Sequence, residues 1–277
     1  MESIAVDSAD DPRIADYVAL SDPELRRGLE RAHGFFVAEG PLVIRKLLST
    51  NHRVRSVLVT PKQHAALAGA LAGLDAPVYV VEPAVMERTV GFDLHRGAVA
   101  AADRYPLPPI ERVLAGASRI AILERVNDHE NLGALFRNAA AFGFDAVLLC
   151  PQCSDPLYRR TVRVSIGHVL TVPWTRAEPW PATLDLVGEL GFTVLALTPA
   201  ADARRIESVT PPSSTQPSGP GRIAILVGAE GPGLSDAALA RSATRVRIPM
   251  AAGVDSLNVA TAAAVAFAHF ARTERLE

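Results

Sequence analysis

Five short apolar runs in the second half of the chain constrain its fold more than any other feature. They are RIAILE, FDAVLL, FTVLALT, RIAILVG and RVRIP, and helical patterns separate them. An apolar run that is continuous, and not alternating, indicates a strand buried on both faces. Such strands, separated by helices, predict a parallel sheet with helices packed on both sides. The second half is therefore predicted to be an α/β domain.

The first hundred residues predict a smaller α/β domain. AHGFFVAEGPLVIRKLLST indicates a glycine-marked entry into a helix, RSVLVT and PVYVV indicate strands, and LAGALAGL indicates a short helix. The three prolines of DRYPLPPIE favour an extended connection. We therefore predict a domain over residues 1–103, a linker over 104–117 and a second domain over 118–277. Within the second domain, the composition of TPPSSTQPSGPG predicts a surface loop across 211–221.

Composition restricts the class of protein. Of 277 residues, 49% are hydrophobic and 21% charged, as in an ordinary globular protein. The sequence lacks the run of roughly 18 apolar residues that a membrane span needs. Its start, MESIAVDSADD, lacks the basic and apolar regions of a secretory signal. We expect a cytoplasmic protein with no membrane partner.

The two cysteines, Cys150 and Cys153, are too few for a disulfide framework, which fits a reducing compartment. Their CPQC spacing is compatible with a redox pair, half a zinc site or incidental thiols. Because no second Cys/His pair lies at ligand spacing, incidental thiols are favoured. We predict no metal site.

Three segments of the second domain place small or polar residues just after an apolar strand, where open α/β sheets bind ligands. The first is ERVNDHENLGALFRNAAAFGF, in which Asn131 and Gly133 open a helix that presents Arg137. Asn131 and Arg137 are placed to flank one substrate. The alternative is that Asn131 only caps the helix and Arg137 is a surface charge.

The other two segments are RIAILVGAEGPGLSD and RIPMAAGVDSLNVATAAAVAFAHF. In the former, glycines around Glu230 let backbone N–H groups approach a ligand closely, although an ordinary turn has the same composition. Their spacing differs from the dinucleotide fingerprint G-x-G-x-x-G, so a nicotinamide or flavin site is weakly supported. In the latter, Ser256 and Asn258 precede the C-terminal helix and, taken alone, are caps for it.

Taken together, the three segments resemble, in order and spacing, the motifs of the SpoU/TrmH family of RNA ribose methyltransferases, within the SPOUT superfamily. The resemblance covers residues 119–275. In the first domain, FFVAEGPLVIRKLL more weakly resembles the ribosomal-protein-like substrate-binding domain that often precedes this catalytic domain. The resemblance implies a parallel-sheet SPOUT domain with a C-terminal trefoil knot, assembled as a homodimer.

The resemblance also implies an activity: S-adenosylmethionine-dependent methylation of a ribose 2'-hydroxyl, in rRNA more than in tRNA. The family's catalytic positions fall on Asn131, Arg137, Glu230, Ser256 and Asn258. Its cofactor pocket falls on Leu197, Thr198, Gly228, Gly233, Ile248 and Leu257. The alternatives are an RNA-binding protein of this fold without methyltransferase activity, and a dinucleotide-dependent oxidoreductase.

The roles implied for these residues are mainly positioning and charge stabilisation. A guanidinium is a poor base near neutral pH, so we assign to Arg137 stabilisation of the developing alkoxide and contact with a neighbouring phosphate. The resemblance leaves open whether Arg137 acts in its own site or in the partner's. Candidate RNA contacts are Arg26, Arg27, Arg31, Arg45 and Arg163, each of which has an ordinary surface charge as its alternative.

Overall fold

The computed structural model describes residues 3–210 and 221–271. The expected surface loop at 211–221 lies outside the described residues except for Gly221. The chain divides into two compact units, Met1–Pro106 with Leu157–Thr171, and Leu107–Pro156 with Val172–Glu277. The predicted ranges differ from this division. The segment Leu157–Thr171 groups with the first unit, and much of the expected linker 104–117 groups with the second.

Twelve strands occur in residues 3–210 and 221–271. They are β1 (Ser3–Ala5), β2 (Phe35–Glu39), β3 (Val54–Val59), β4 (Val78–Val80), β5 (Ala98–Asp103), β6 (Arg119–Glu124), β7 (Ala146–Leu149), β8 (Trp174–Arg176), β9 (Phe192–Leu197), β10 (Arg204–Arg205), β11 (Arg222–Gly228) and β12 (Thr244–Arg247).

The same ranges contain ten α-helices. They are α1 (Pro23–Ala32), α2 (Pro41–Leu48), α3 (Pro61–Leu71), α4 (Pro83–Val90), α5 (Ile110–Leu114), α6 (His129–Ala141), α7 (Arg159–Val164), α8 (Thr183–Glu189), α9 (Asp236–Ala240) and α10 (Val259–Phe270). Short 3-10 helices lie at Pro12–Tyr17, His168–Leu170 and Ile206–Ser208. None of the described helices combines the length and apolar content that crossing a bilayer requires.

The first unit is built on a five-stranded sheet in the order β1-β4-β3-β5-β2. Strands β1, β4 and β3 are parallel, whereas β5 runs antiparallel to both β3 and β2. Helices α1 to α4 all begin with proline, whose fixed φ suits the first turn of a helix. The predicted strands at RSVLVT and PVYVV are confirmed as β3 and β4.

Strand β2 corrects the prediction that AHGFFVAEGPLVIRKLLST is the entry into a helix. All five residues of β2 are buried, and the helix begins only at Pro41. Gly40 separates the two elements with a φ of 99°, a backbone conformation that glycine adopts without steric cost.

The second unit is built on a seven-stranded sheet in the order β10-β12-β9-β11-β6-β7-β8, and all its strand pairs are parallel. The predicted α/β fold with a parallel sheet is confirmed, and the five apolar runs correspond to β6, β7, β9, β11 and β12. Strand β6 shows why its sequence is continuously apolar. Consecutive residues Ile120, Ala121, Ile122 and Leu123 are all buried, so both faces of the sheet are covered. The trefoil knot stays a prediction.

The topology brings the loops after β9, β11 and β12 to one edge of this sheet. These three strands are neighbours and parallel, so their carboxyl ends lie side by side. The crevice beyond the carboxyl ends of parallel strands is where such sheets bind ligands.

Candidate active site

A cavity of about 350 Å³ opens at this edge of the sheet. It is lined by Leu197, Thr198, Pro199, Val227, Gly228, Ala229, Glu230, Gly231, Gly233, Ile248, Met250, Ser256, Leu257, Asn258, Val259 and Ala262. All six residues expected to bind the cofactor are in this set, together with three of the five expected to be catalytic. A volume of this size is within the range of small-molecule sites.

The glycine-rich loop after β11 folds back tightly over the end of its own strand. A Cβ on Gly228 would lie 2.5 Å from the carbonyl carbon of Gly233 and 2.6 Å from the amide nitrogen of Leu234. The loop is closed by a hydrogen bond from the Gly233 N–H to the Ala229 carbonyl oxygen, 3.1 Å. A side chain at Gly228 would force this loop to move. Because glycine has no Cβ, the loop packs closely against the end of β11, and its backbone N–H groups lie at the cavity wall.

Asn258 joins the three predicted motif segments. Its Nδ2 donates to Oδ1 of Asn131 at 2.9 Å and to Oε1 of Glu230 at 2.7 Å. Its Oδ1 accepts from the backbone N–H groups of Ala260 and Thr261, so the same side chain caps α10. The amide of Asn258 thus holds the first and second segments against the start of the third.

Asn131 is not the cap of α6. That position belongs to Asp128, whose carboxylate accepts from the N–H groups of Glu130 and Asn131. The side chain of Asn131 is therefore available for the contact with Asn258. Of the two alternatives for Asn131, the structure excludes the cap.

Arg137 lies away from this network. It is exposed on α6 and is not among the cavity-lining residues. Arg137 is six positions after Asn131 on the same helix, which corresponds to about 9 Å along the axis and about 120° around it. The two side chains therefore leave α6 in different directions, and their action on one substrate stays a prediction. The neighbouring Asn138, for which no role is predicted from the sequence, donates from Nδ2 to the carbonyl oxygen of Ala260 at 2.8 Å and connects α6 to α10.

The five arginines proposed as RNA contacts differ in accessibility. Arg27, Arg31 and Arg45 are exposed on the first unit. Arg163 is half-buried and pairs with Glu39 at 3.3 Å. Arg26 is 2% exposed and donates to Glu30 and to the carbonyl oxygen of Val18. Arg26 is therefore withdrawn as an RNA contact, because its guanidinium is buried and already hydrogen-bonded.

The two cysteines are free thiols buried after β7, with their sulfurs 3.7 Å apart. The hydrogen bond from Cys153 lowers the pKa of Cys150 to about 6, helped by the Arg125 backbone N–H, while it raises the pKa of Cys153. Among the described residues no group of three or more His, Cys, Asp or Glu side chains is arranged to hold a metal ion. Incidental thiols stay the favoured interpretation, with a redox pair and half a zinc site as the alternatives.

The sequence is similar to those of known proteins. Residues 118–268 match the model of the SpoU rRNA Methylase family. An uncharacterized tRNA/rRNA methyltransferase of Mycobacterium tuberculosis is 48% identical over 258 residues, covering 93% of this chain and 88% of that protein.

Solved structures share the fold over nearly the whole chain. An AdoMet-bound rRNA methyltransferase from Sinorhizobium meliloti superposes with a TM-score of 0.79 at 24% identity, covering 96% of both chains. A structure described as an RNA 2'-O ribose methyltransferase superposes with a TM-score of 0.72 at 26% identity, covering 96% of this chain and 97% of the other.

Proposed function

This chain belongs to the SpoU rRNA methylase family, and we propose that within this family it methylates a ribose 2'-hydroxyl of RNA, in rRNA in preference to tRNA. Membership makes it an S-adenosylmethionine-dependent tRNA/rRNA methyltransferase. It also overturns the oxidoreductase alternative. The observation that carries the proposal is the Asn131–Asn258–Glu230 network at the wall of the cavity.

The cavity has the chemistry that S-adenosylmethionine requires. Ile248 and Leu257 offer apolar side chains for an adenine, and Leu257 remains 37% exposed although it is large and apolar. The glycine loop offers backbone N–H groups for the polar edges of the cofactor. When bound there, S-adenosylmethionine supplies a methyl group on a positively charged sulfur.

The residues around the cavity act by holding the reacting groups in line. A displacement at the methyl carbon needs the ribose oxygen, the carbon and the sulfur to be collinear, and positioning of this kind supplies much of the rate. Asn258 fixes the start of α10, and Glu230 anchors the amide of Asn258. Asn131 orients the sugar, and Ser256 holds the loop that precedes α10. The proton of the hydroxyl leaves to water as the methyl group is transferred.

We assign Arg137 to the site of the partner subunit in a homodimer. The supporting observations are its exposure, its absence from the cavity lining, and its position on a different face of α6 from Asn131. In that site its guanidinium stabilises the developing alkoxide and contacts the adjacent phosphate. An arginine presented from outside the cofactor cavity is suited to a substrate as large as RNA.

The first unit is proposed to bind RNA through its exposed arginines Arg27, Arg31 and Arg45. Arginine forms forked contacts with phosphates, which position RNA without reading its sequence. The description of the family and the presence of this unit before the catalytic one favour rRNA over tRNA. Since rRNA and tRNA function in the bacterial cytoplasm, a cytoplasmic location is part of the proposal.

The proposal is tested by incubating the protein with methyl-labelled S-adenosylmethionine and, separately, rRNA and tRNA from a strain that lacks it. Digestion to nucleosides then identifies the labelled product. We expect label in a 2'-O-methyl nucleoside of rRNA. Label in a methylated base would refute ribose specificity, and RNA binding without label would support the non-catalytic alternative.

A further inference from the structure

A buried carboxylate lies beneath the glycine-rich loop, outside the set of residues that line the cavity. Glu124 is the last residue of β6 and is 2% exposed. Its Oε1 accepts from the indole N–H of Trp180 at 2.8 Å and from the hydroxyl of Ser235 at 2.7 Å. Its Oε2 accepts from the backbone N–H of Ser235 at 2.8 Å.

These contacts fix the far end of the loop that follows β11. Gly228, where the loop begins, is paired in register with Glu124 on the neighbouring strand. Ser235, where the loop ends, returns to the carboxylate of Glu124 and caps α9. The loop between them supplies Ala229, Glu230, Gly231 and Gly233 to the cavity wall. Both ends of the loop are therefore held at one point of the sheet.

We propose that Glu124 is a positioning residue for the cofactor cavity: through Ser235 and Trp180 it sets the position of the loop, and with it the carboxylate of Glu230. The identity of the ligand rests on the proposed function, whereas the effect of Glu124 on the loop does not. Glu124 acts through the loop, since it is not among the residues that line the cavity.

The geometry calls for a carboxylate in particular. The indole N–H and the backbone N–H are donors only, and they approach different oxygens of Glu124. Glutamine has nearly the same shape but carries an NH₂ group in place of one oxygen. In either orientation this NH₂ group would face the N–H of Trp180 or the backbone N–H of Ser235, and neither can accept a hydrogen bond. Glu124→Gln therefore loosens the loop while leaving the volume of the core almost unchanged.

The other end of the same strand offers a matched control. Oδ2 of Asp145 accepts from the backbone N–H of Ser118 at 2.7 Å, from its hydroxyl at 3.1 Å, and from the N–H of Arg119 at 3.0 Å. This carboxylate also holds a serine through its amide and its hydroxyl, but at the amino end of β6, opposite the cavity. All three donors approach one oxygen, which asparagine could replace with its carbonyl oxygen. Asp145→Ala removes this acceptor where no residue that lines the cavity depends on it.

The test compares wild type, Glu124→Gln, Ser235→Ala and Asp145→Ala by calorimetric titration with S-adenosylmethionine, melting temperature, and hydrogen exchange of residues 229–235. We expect Glu124→Gln to raise the Kd at least about tenfold and to speed exchange in the loop. Asp145→Ala lowers the melting temperature but keeps the Kd within about twofold of wild type. Ser235→Ala, a milder change, weakens binding less, and its effect is not additive with that of Glu124→Gln.

The proposal is overturned if Glu124→Gln leaves both the Kd and the exchange of the loop unchanged. It is also overturned if Asp145→Ala weakens binding as strongly, because general destabilisation would then account for the effect. If wild type does not bind S-adenosylmethionine, the proposed function fails. The exchange comparison still decides whether Glu124 positions the loop.

Discussion

At the residue scale, the side chain of Asn258 has two tasks in the site. Asn258 caps α10 through its Oδ1 and joins Asn131 to Glu230 through its Nδ2. A cap requires only an acceptor, so aspartate or serine would serve as well. The two hydrogen bonds that Asn258 donates to side-chain oxygens require its amide NH₂ group. This explains why the residue at this position is asparagine.

The variant Asn258→Asp separates the two tasks. The cap is kept, so we expect the free energy of unfolding to stay within about 1 kcal/mol of wild type. Methyl transfer falls at least about 100-fold, because the donors are lost and a second carboxylate faces Glu230. Denaturant unfolding and single-turnover transfer to RNA measure the two effects, and near-normal transfer would contradict the role given to the amide.

His52 gives a pH-dependent prediction in the first unit. Burial lowers its pKa from 6.5, opposed by a hydrogen bond with the carbonyl oxygen of Asp103. A histidine with a lowered pKa in the folded state contributes stability that is present above pH 6.5 and is lost as the pH falls through the folded value. Wild type should therefore lose more stability than His52→Gln between pH 7.5 and 5.5. Equal losses would contradict this, as would an NMR titration midpoint of His52 at or above 6.5.

At the level of single residues, the sequence could predict those that lie in recognisable motifs. Gly228, Glu230 and Asn258 were predicted from two of the three segments and meet at one cavity. Glu124 and Trp180 were not predicted, because an acidic residue at the end of an apolar strand carries no signal until its donors, up to 111 residues away, are known. Arg26 was misassigned because no local pattern separates a buried arginine from an exposed one.

At the scale of elements, the parallel sheet and the loops after its strands position the residues that line the cavity. Strands β6, β7, β9 and β11 could be predicted because burial on both faces leaves a continuous apolar run. Strand β12 differs, since Val246 is its one buried residue. Strands β8 and β10 are three and two residues long, too short to form such a run. Strand β2 was missed because Phe35–Glu39 runs directly into a helix pattern, and only the backbone of Gly40 separates them.

The close return of the glycine loop over β11 predicts the effect of Gly228→Ala. The new methyl group would overlap the backbone of Gly233 and Leu234, so the loop must move, at a cost of about 1–3 kcal/mol. We expect cofactor binding to be lost, as measured by calorimetry.

Gly188, in α8 of the same unit, is the control position. Its Cβ would meet nothing within 4 Å, so alanine there should add about 0.5–1 kcal/mol of stability and leave cofactor binding unchanged. Normal binding by Gly228→Ala would contradict the close packing of the loop.

At the scale of the whole molecule, the proposed homodimer makes two sites that depend on each other. A dimer should show a mass about twice 29.4 kDa in solution by light scattering. If Arg137 serves the partner's site, co-expressing the inactive variants Arg137→Ala and Asn258→Asp yields heterodimers with one intact site. Transfer should then recover to about a quarter of wild type. A monomeric mass, or no recovery in confirmed heterodimers, would contradict the assignment of Arg137.

The most direct measurement is a crystal structure of the protein with S-adenosylhomocysteine, the demethylated product of the cofactor. We expect the adenine between Ile248 and Leu257, against the loop that begins at Gly228, with the sulfur directed toward the side of the cavity where Asn258 lies. A ligand bound elsewhere, or no binding at saturating concentration, would contradict the claim that this cavity holds the methyl donor.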